Sequence, residues 1–181
     1  MLQIFPNRVW KKRKVMTKFL NHLIEDLGKV GIITEENIKK HYYFGILKDG
    51  ETKKYLTSVS IKINDKERIP CYTLNKKGRA FFKKNIDNLH IYVSTKQQYL
   101  HDKRLSDYYF QLSRTEQMSW MPESSLKDRF LDEKYSVDAA YYSEGNLIAV
   151  ESIGKSYTEQ TIEKKIKYAK EIGATKLIKL R

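Results

Sequence analysis

Ser136-Val137-Asp138-Ala139-Ala140-Tyr141-Tyr142 and Leu147-Ile148-Ala149-Val150-Glu151-Ser152-Ile153-Gly154-Lys155 are two strand-like runs separated by Ser143-Glu144-Gly145-Asn146. The Gly-containing spacer is a turn sequence, so the runs pair as a hairpin. Each carries a carboxylate, Asp138 or Glu151, that packing alone does not ask of an apolar strand. Lys155 follows the second acid by four residues. Two acids and a Lys gathered by a hairpin have the chemistry of a metal-dependent phosphodiester-cleaving site, or of its decayed remnant.

The sequence continues in α/β style on both sides of the hairpin. Met118 to Met121 reads as a strand leading into Pro122-Glu123. Thr158 to Ile172 reads as an amphipathic helix with Ile162, Ile166, Ala169 and Ile172 inward and Glu163, Lys164, Lys167 and Lys170 outward, ended by Gly173. Thr175 to Leu180 forms a last strand. Upstream, 94–112 reads as one helix with Leu100, Leu105, Tyr108, Tyr109 and Leu112 on its apolar face. His101 and Asp102 are neighbours on that helix. Successive helical residues point about 100° apart, so His101 is read as a structural hydrogen bonder rather than half of a catalytic pair.

Charge separates this region from what precedes it. The chain has 181 residues and a formal net charge of +13. Residues 1–90 hold 20 Lys and Arg against 9 Asp and Glu, a net of +11, whereas residues 91–181 hold 15 against 13, a net of +2. Coding bias toward Lys would raise both halves alike. The asymmetry therefore points to a basic nucleic-acid-binding front half joined to a different back half. A hydrophobic fraction of 40% is enough for a packed core, and a mean hydropathy of −0.64 describes a water-exposed surface. No apolar run approaches a membrane span, and no apolar segment follows the basic N-terminus as in a signal peptide. The lone Cys71 pairs with nothing internally. A reduced, cytoplasmic setting is expected.

The front half begins with the basic arm Arg8-Val9-Trp10-Lys11-Lys12-Arg13-Lys14, suited to tracking phosphates. Phe19, Leu20, Leu23, Ile24 and Leu27 then mark a helix that Gly28 and Gly31 should end. Thr34 is an N-cap, with Glu35 and Glu36 in the first turn of a short second helix. A third helix is expected from Asp49-Gly50-Glu51, with Leu56 and Val59 inward and Lys53, Lys54, Thr57 and Ser58 outward. Two strands, Ser60 to Ile63 and Ile69 to Leu74, flank the turn Asn64-Asp65-Lys66-Glu67. Another helix follows Asn75.

Three helices, a hairpin and a helix resemble a winged helix-turn-helix, and Tyr72-Thr73-Leu74-Asn75-Lys76-Lys77-Gly78 resembles the exit from the wing in small bacterial members of that class. The resemblance implies that Lys53, Lys54 and Thr57 face a DNA groove and that Lys62, Lys66 and Arg68 serve the wing, with Arg13 contributing from the arm. The back half, in turn, is similar to the PD-(D/E)xK nuclease-like fold, with Val137-Asp138 and Glu151 in place of its acids. Taken together, residues 14–180 resemble the replication-relaxation family of plasmids and mobile elements, which joins a winged helix to a small nuclease-like domain. The shared features are the wing exit, the His101-Asp102 helix, Trp120 to Glu123, the Asp138 strand and Glu151 to Ser156.

That resemblance implies an α+β chain with an arm over 1–13, a winged helix-turn-helix over 14–90 and a nuclease-like domain over 91–181. It departs from an active nuclease at Ile153, where the Lys two residues after the second acid is missing. Lys155, or Lys164 or Lys165 on the next helix, would have to stand in. The expected function is that of a duplex-DNA-binding accessory protein of a plasmid, phage or conjugative element, assisting replication or transfer or regulating nearby genes. A homodimer and replication or transfer proteins are its further partners, with no cofactor. The alternatives are a Mg²⁺- or Mn²⁺-dependent endonuclease using Asp138, Glu151 and Lys155, with the two acids as metal ligands, and a pure transcription regulator.

Overall fold

The computed structural model describes residues 7–42, 45–86, 90–130, 136–154 and 156–181, with backbone alone for 7–17, 51 and 129. It is a mixed α+β structure with two sheets, one in each half of the chain.

Helix α1 runs over Asn7–Val30 and takes in the residues of the basic arm from Asn7 onward. Leu23, Ile24, Leu27 and Val30 recur at helical spacing and are all buried. The helix does not end at Gly28. A Cβ there would lie 2.1 Å from the Phe82 ring, so Gly28 is an interior residue kept bare for an aromatic neighbour. Termination falls to Gly31, whose φ of +76° is the left-handed cap conformation and whose N–H donates to the Leu27 carbonyl at 2.8 Å.

Strand β1 (Ile33–Thr34) leads directly into α2 (Glu35–His41), where the Thr34 hydroxyl accepts from Asn37 N–H at 3.1 Å. Helix α3 spans only Gly50–Lys53. Leu56 and Val59, expected on its inner face, lie instead on β2 (Leu56–Lys62), which pairs antiparallel with β3 (Arg68–Leu74) from Leu56↔Leu74 to Lys62↔Arg68. Thr57 is therefore a strand residue. Its run Leu56-Thr57-Ser58-Val59-Ser60 is β-branched and hydroxylated, a composition that favours an extended chain over a helix. Strand β1 adds to the other edge of β3, giving the order β1-β3-β2. Asn75 then caps α4 (Lys76–Asn85), its side chain accepting from the N–H groups of Lys77 and Gly78.

In the back half, α5 covers Tyr99–Tyr109, shorter than the 94–112 expected, and Leu100 is 49% exposed rather than inward. Of the strand expected over Met118 to Met121, only Met121 is strand, Met118 being the last residue of a helix and Ser119 lying in a turn. Arg114–Met118 forms α6, closed by a Ser113–Glu116 capping box, and only Met121–Pro122 pairs as β4. Helix α7 (Glu123–Phe130) follows at once. Strands β5 (Ala139–Ser143) and β6 (Asn146–Ser152) form the expected hairpin. Helix α8 (Glu159–Glu171), capped by the Thr158 hydroxyl, crosses over to β7 (Lys176–Leu180), which lies parallel to β6. The sheet order is β4-β5-β6-β7. Glu151 and Ser152 thus lie on an interior strand, screened on both faces.

One hydrophobic cluster crosses the middle of the chain. It contains Leu23, Leu27, Ile33, Ile38 and Phe82 from the front half and Tyr109, Trp120, Tyr141 and Val150 from the back half. No helix among the described residues is long and apolar enough to cross a membrane.

Candidate functional site: a two-acid cleft and a basic hairpin

The β5–β6 register sets the two acids against each other. Ala139 pairs with Val150, so one step further Asp138 meets Glu151. Each acid accepts from the other strand's backbone. Asp138 N–H donates to Glu151 Oε2 at 3.0 Å, and Ser152 N–H donates to Asp138 Oδ2 at 2.7 Å. Glu151 is fully buried. Its Oε1 accepts from Lys165 Nζ at 2.9 Å and from the Tyr157 hydroxyl at 2.8 Å. Lys165 comes from α8, and its ammonium also bonds the Ser136 carbonyl.

The other side of Asp138 is closed by His101. Its Nε2 lies 3.1 Å from Asp138 Oδ2 and its Nδ1 2.9 Å from Asp102 Oδ1. The expectation that His101 and Asp102 diverge on their helix is not met. The imidazole Nδ1 meets the neighbouring carboxylate although successive Cβ directions on α5 differ. Asp102 is fully buried and also accepts from the hydroxyls of Tyr92 and Ser94. Burial pulls the His101 pKa down, but hydrogen bonds to Asp102 and Asp138 and the charges of both acids outweigh it and raise the pKa to about 10. His101 is an imidazolium at neutral pH, donating from both nitrogens. Burial, then the Asp138 charge, push the Glu151 pKa up, opposed by Lys165 and Tyr157.

The cleft therefore contains three carboxylates, from Asp102, Asp138 and Glu151, and two cations, His101 and Lys165, in one continuous hydrogen-bonded chain. Its acids do not fit a divalent metal. Both Glu151 oxygens and Asp138 Oδ2 are taken by protein donors. Among the described residues, no group of three or more His, Cys, Asp or Glu is set to hold a metal ion. Lys155 lies outside the described residues. Of the two helix lysines named as stand-ins, Lys165 contacts an acid. Tyr92, Ser94 and Tyr157 had no signal in the sequence, because each is one hydroxyl among many and is brought in by loops.

The second candidate surface is the front-half hairpin. Lys53 and Lys54 at the end of α3, Thr57 and Lys62 on β2, Lys66 in the turn and Arg68 on β3 are all exposed. Lys62 is paired at 2.5 Å with Asp65, an exposed contact of small energetic weight. Arg68 donates to the Ser60 hydroxyl at 3.4 Å. Lys76, Lys77, Lys83 and Lys84 on α4 are exposed as well. Arg13 lies on the α1 backbone, and its side chain is outside the described residues.

No protein-family model matches the chain, and no curated protein or solved structure matches it.

Proposed function

We propose that this chain binds duplex DNA through its front half, as an accessory protein of a plasmid, phage or conjugative element that assists replication or transfer or regulates neighbouring genes. The observation that carries the reading is the β1-β3-β2 sheet after α1, entered through α2 and α3 and ending in a hairpin lined with exposed cations. Helix–strand–helix–helix–hairpin is the order of a winged helix, in which the third helix approaches the groove and the hairpin touches the backbone. With α3 only one turn long, the contacts concentrate on Lys53 and Lys54 at its end and on Lys62, Lys66 and Arg68 of the hairpin. Lysines of this kind recognise phosphates, so binding should depend steeply on salt.

The back half resembles a nuclease-like domain in which the charges of the acid pair are answered by protein cations. It serves as a scaffold in this reading, and the molecule holds DNA without cutting it.

The test is a gel series with plasmid carrying the gene's own neighbourhood, run in EDTA and in Mn²⁺. The expected result is retardation in both and nicking in neither. Replacing Lys53 and Lys54 together by Ala should weaken binding and flatten the log–log salt dependence by about 0.9 for each phosphate that is no longer neutralised. Binding and salt slope unchanged in that double variant would remove Lys53 and Lys54 as DNA contacts and with them the winged-helix assignment of those residues. Mn²⁺-dependent nicking that disappears in Asp138→Ala would make the chain an endonuclease.

A further inference from the structure

We infer that the Lys76, Arg79 and Lys83 stripe of α4, with the groove beside it, is a second phosphate-binding surface, along which a DNA duplex held by α3 and the hairpin continues. The inference rests on the duplex-DNA reading above and extends its footprint to a helix that the reading does not use.

Charge sets this helix apart. Residues 68–86 contain six Lys and Arg and no Asp or Glu. On α1, α2, α5, α7 and α8 a lysine pairs with an acid one turn away, as Lys29 does with Glu25 and Lys103 with Asp107. Helix α4 contains no acid to do this. Among the described residues, the side chains of Lys76, Arg79 and Lys83 have no ion-pair or hydrogen-bond partner. Like charges one turn apart repel, so Arg79 and Lys83 share a face at a cost to the helix. A polyanion laid along that face removes the cost.

The geometry fits a duplex backbone. Positions 76, 79, 80 and 83 recur at helical spacing, so the three cations share one face with only the small Ala80 between them. They line an open groove of about 390 Å³ whose other residues are Ala80, Ile91 and Val93. No acid lines it, and no aromatic ring is there for an unpaired base to stack on, which sets it apart from a single-strand site. At a rise of about 1.5 Å per residue the stripe is about 10 Å long, a length over which one strand of a duplex carries about three phosphates. Its first turn adjoins the end of α3. The Asn75 side chain donates to the Lys54 carbonyl at 3.0 Å, and Lys77 lies over the Tyr55 ring at 5.3 Å from its centroid. A phosphate backbone leaving Lys53 and Lys54 therefore meets the stripe at its start.

The experiment is fluorescence anisotropy of the full chain on a mixed-sequence duplex of about 30 base pairs across roughly 50–200 mM salt, with melting curves to show that each variant is folded. Lys76→Gln, Arg79→Gln and Lys83→Gln together should weaken binding and flatten the log–log salt slope by about 2.7, which is about 0.9 for each of three phosphates. Lys170→Gln, Lys176→Gln and Lys179→Gln together remove the same charge from exposed positions of the back half and should leave the slope unchanged. Equal losses in the two triple variants would overturn the inference, because net charge alone would then account for them. So would an unmoved slope in the α4 variant while the unmodified chain binds, a result that leaves the α3 and hairpin contacts standing. Loss confined to single-stranded DNA of the same sequence, or to polyglutamate, would overturn it in favour of that partner. An unmodified chain that binds no duplex would remove the DNA reading and this inference together. If the α4 triple variant does not fold, Lys83→Glu, which puts an acid one turn from Arg79, is read by the same criteria.

Discussion

At the scale of single residues, His101 carries the most consequence. Its pKa is raised from the ordinary 6.5 to about 10 by Asp102 and Asp138. A group whose folded pKa lies above its unfolded value binds its proton more tightly in the native state. Its contribution to stability is therefore complete below about pH 6.5 and is lost as pH rises through about 10. Urea unfolding of the unmodified chain and of His101→Gln, compared at steps across that window, should show a stability gap that narrows steadily with pH. Burial keeps the Tyr92 and Tyr157 hydroxyls protonated in the folded state across that window. A gap that stays constant across the window would mean that His101 is held neutral.

At the scale of elements, the β5–β6 hairpin shows how local chemistry determines register. Its loop is the pair Glu144-Gly145, with φ of 49° and 80°, both left-handed. Two such residues in a row make the turn type whose twist suits a hairpin, with Asn-Gly as the preferred pair. Glu144 is exposed and occupies a conformation that Asn tolerates better. Glu144→Asn should raise stability by about 0.5 kcal/mol, seen as a higher urea midpoint at unchanged slope, whereas an unmoved midpoint would show that the turn carries no strain.

The same hairpin was legible from sequence because Gly145 and the flanking β-branched and aromatic residues all point one way. Helix α8 was legible from the helical spacing of Ile162, Ile166, Ala169 and Ile172, of which Ala169 and Ile172 are buried, whereas the buried Tyr168 was not singled out. The third helix misleads because Leu56 and Val59 are three apart, a spacing that fits a helix, while both also suit a half-buried strand. Gly28 reads as a stop until Phe82, more than fifty residues away, is seen to occupy its Cβ position. In the cleft, the facing of Asp138 and Glu151 follows from strand pairing and was readable. The part played by His101 depends on its ring bridging Asp102 beside it and Asp138 thirty-seven residues away, which periodicity does not encode.

At the scale of the whole molecule, the two halves are tied by more than the chain that joins them. Asp26 on α1 is buried and accepts from the hydroxyls of Tyr42 and Tyr109 and from Arg114 at 3.0 Å. The buried Lys29 of α1 donates to the Gln117 carbonyl at 3.1 Å. Tyr109 packs edge-on against Trp120 with ring centroids 5.3 Å apart, and Trp120 stacks on Tyr141 of the back sheet at 6.0 Å. A front-half carboxylate, a back-half helix and the back sheet thus share one buried chain of contacts, and loosening either half would strand a buried charge. The halves should therefore unfold together. In a Trp10→Phe background, Trp120 is the only indole, and its fluorescence reports the junction while far-ultraviolet circular dichroism reports helices from both halves. The two urea transitions should coincide in midpoint and slope. Asp26→Ala, which leaves Arg114 and two tyrosine hydroxyls facing an empty position, should lower the shared midpoint by an amount equivalent to roughly 2–4 kcal/mol of stability. Transitions that separate in the Trp10→Phe protein would show that each half folds on its own core and that the Asp26 and Trp120 contacts dock two independent bodies.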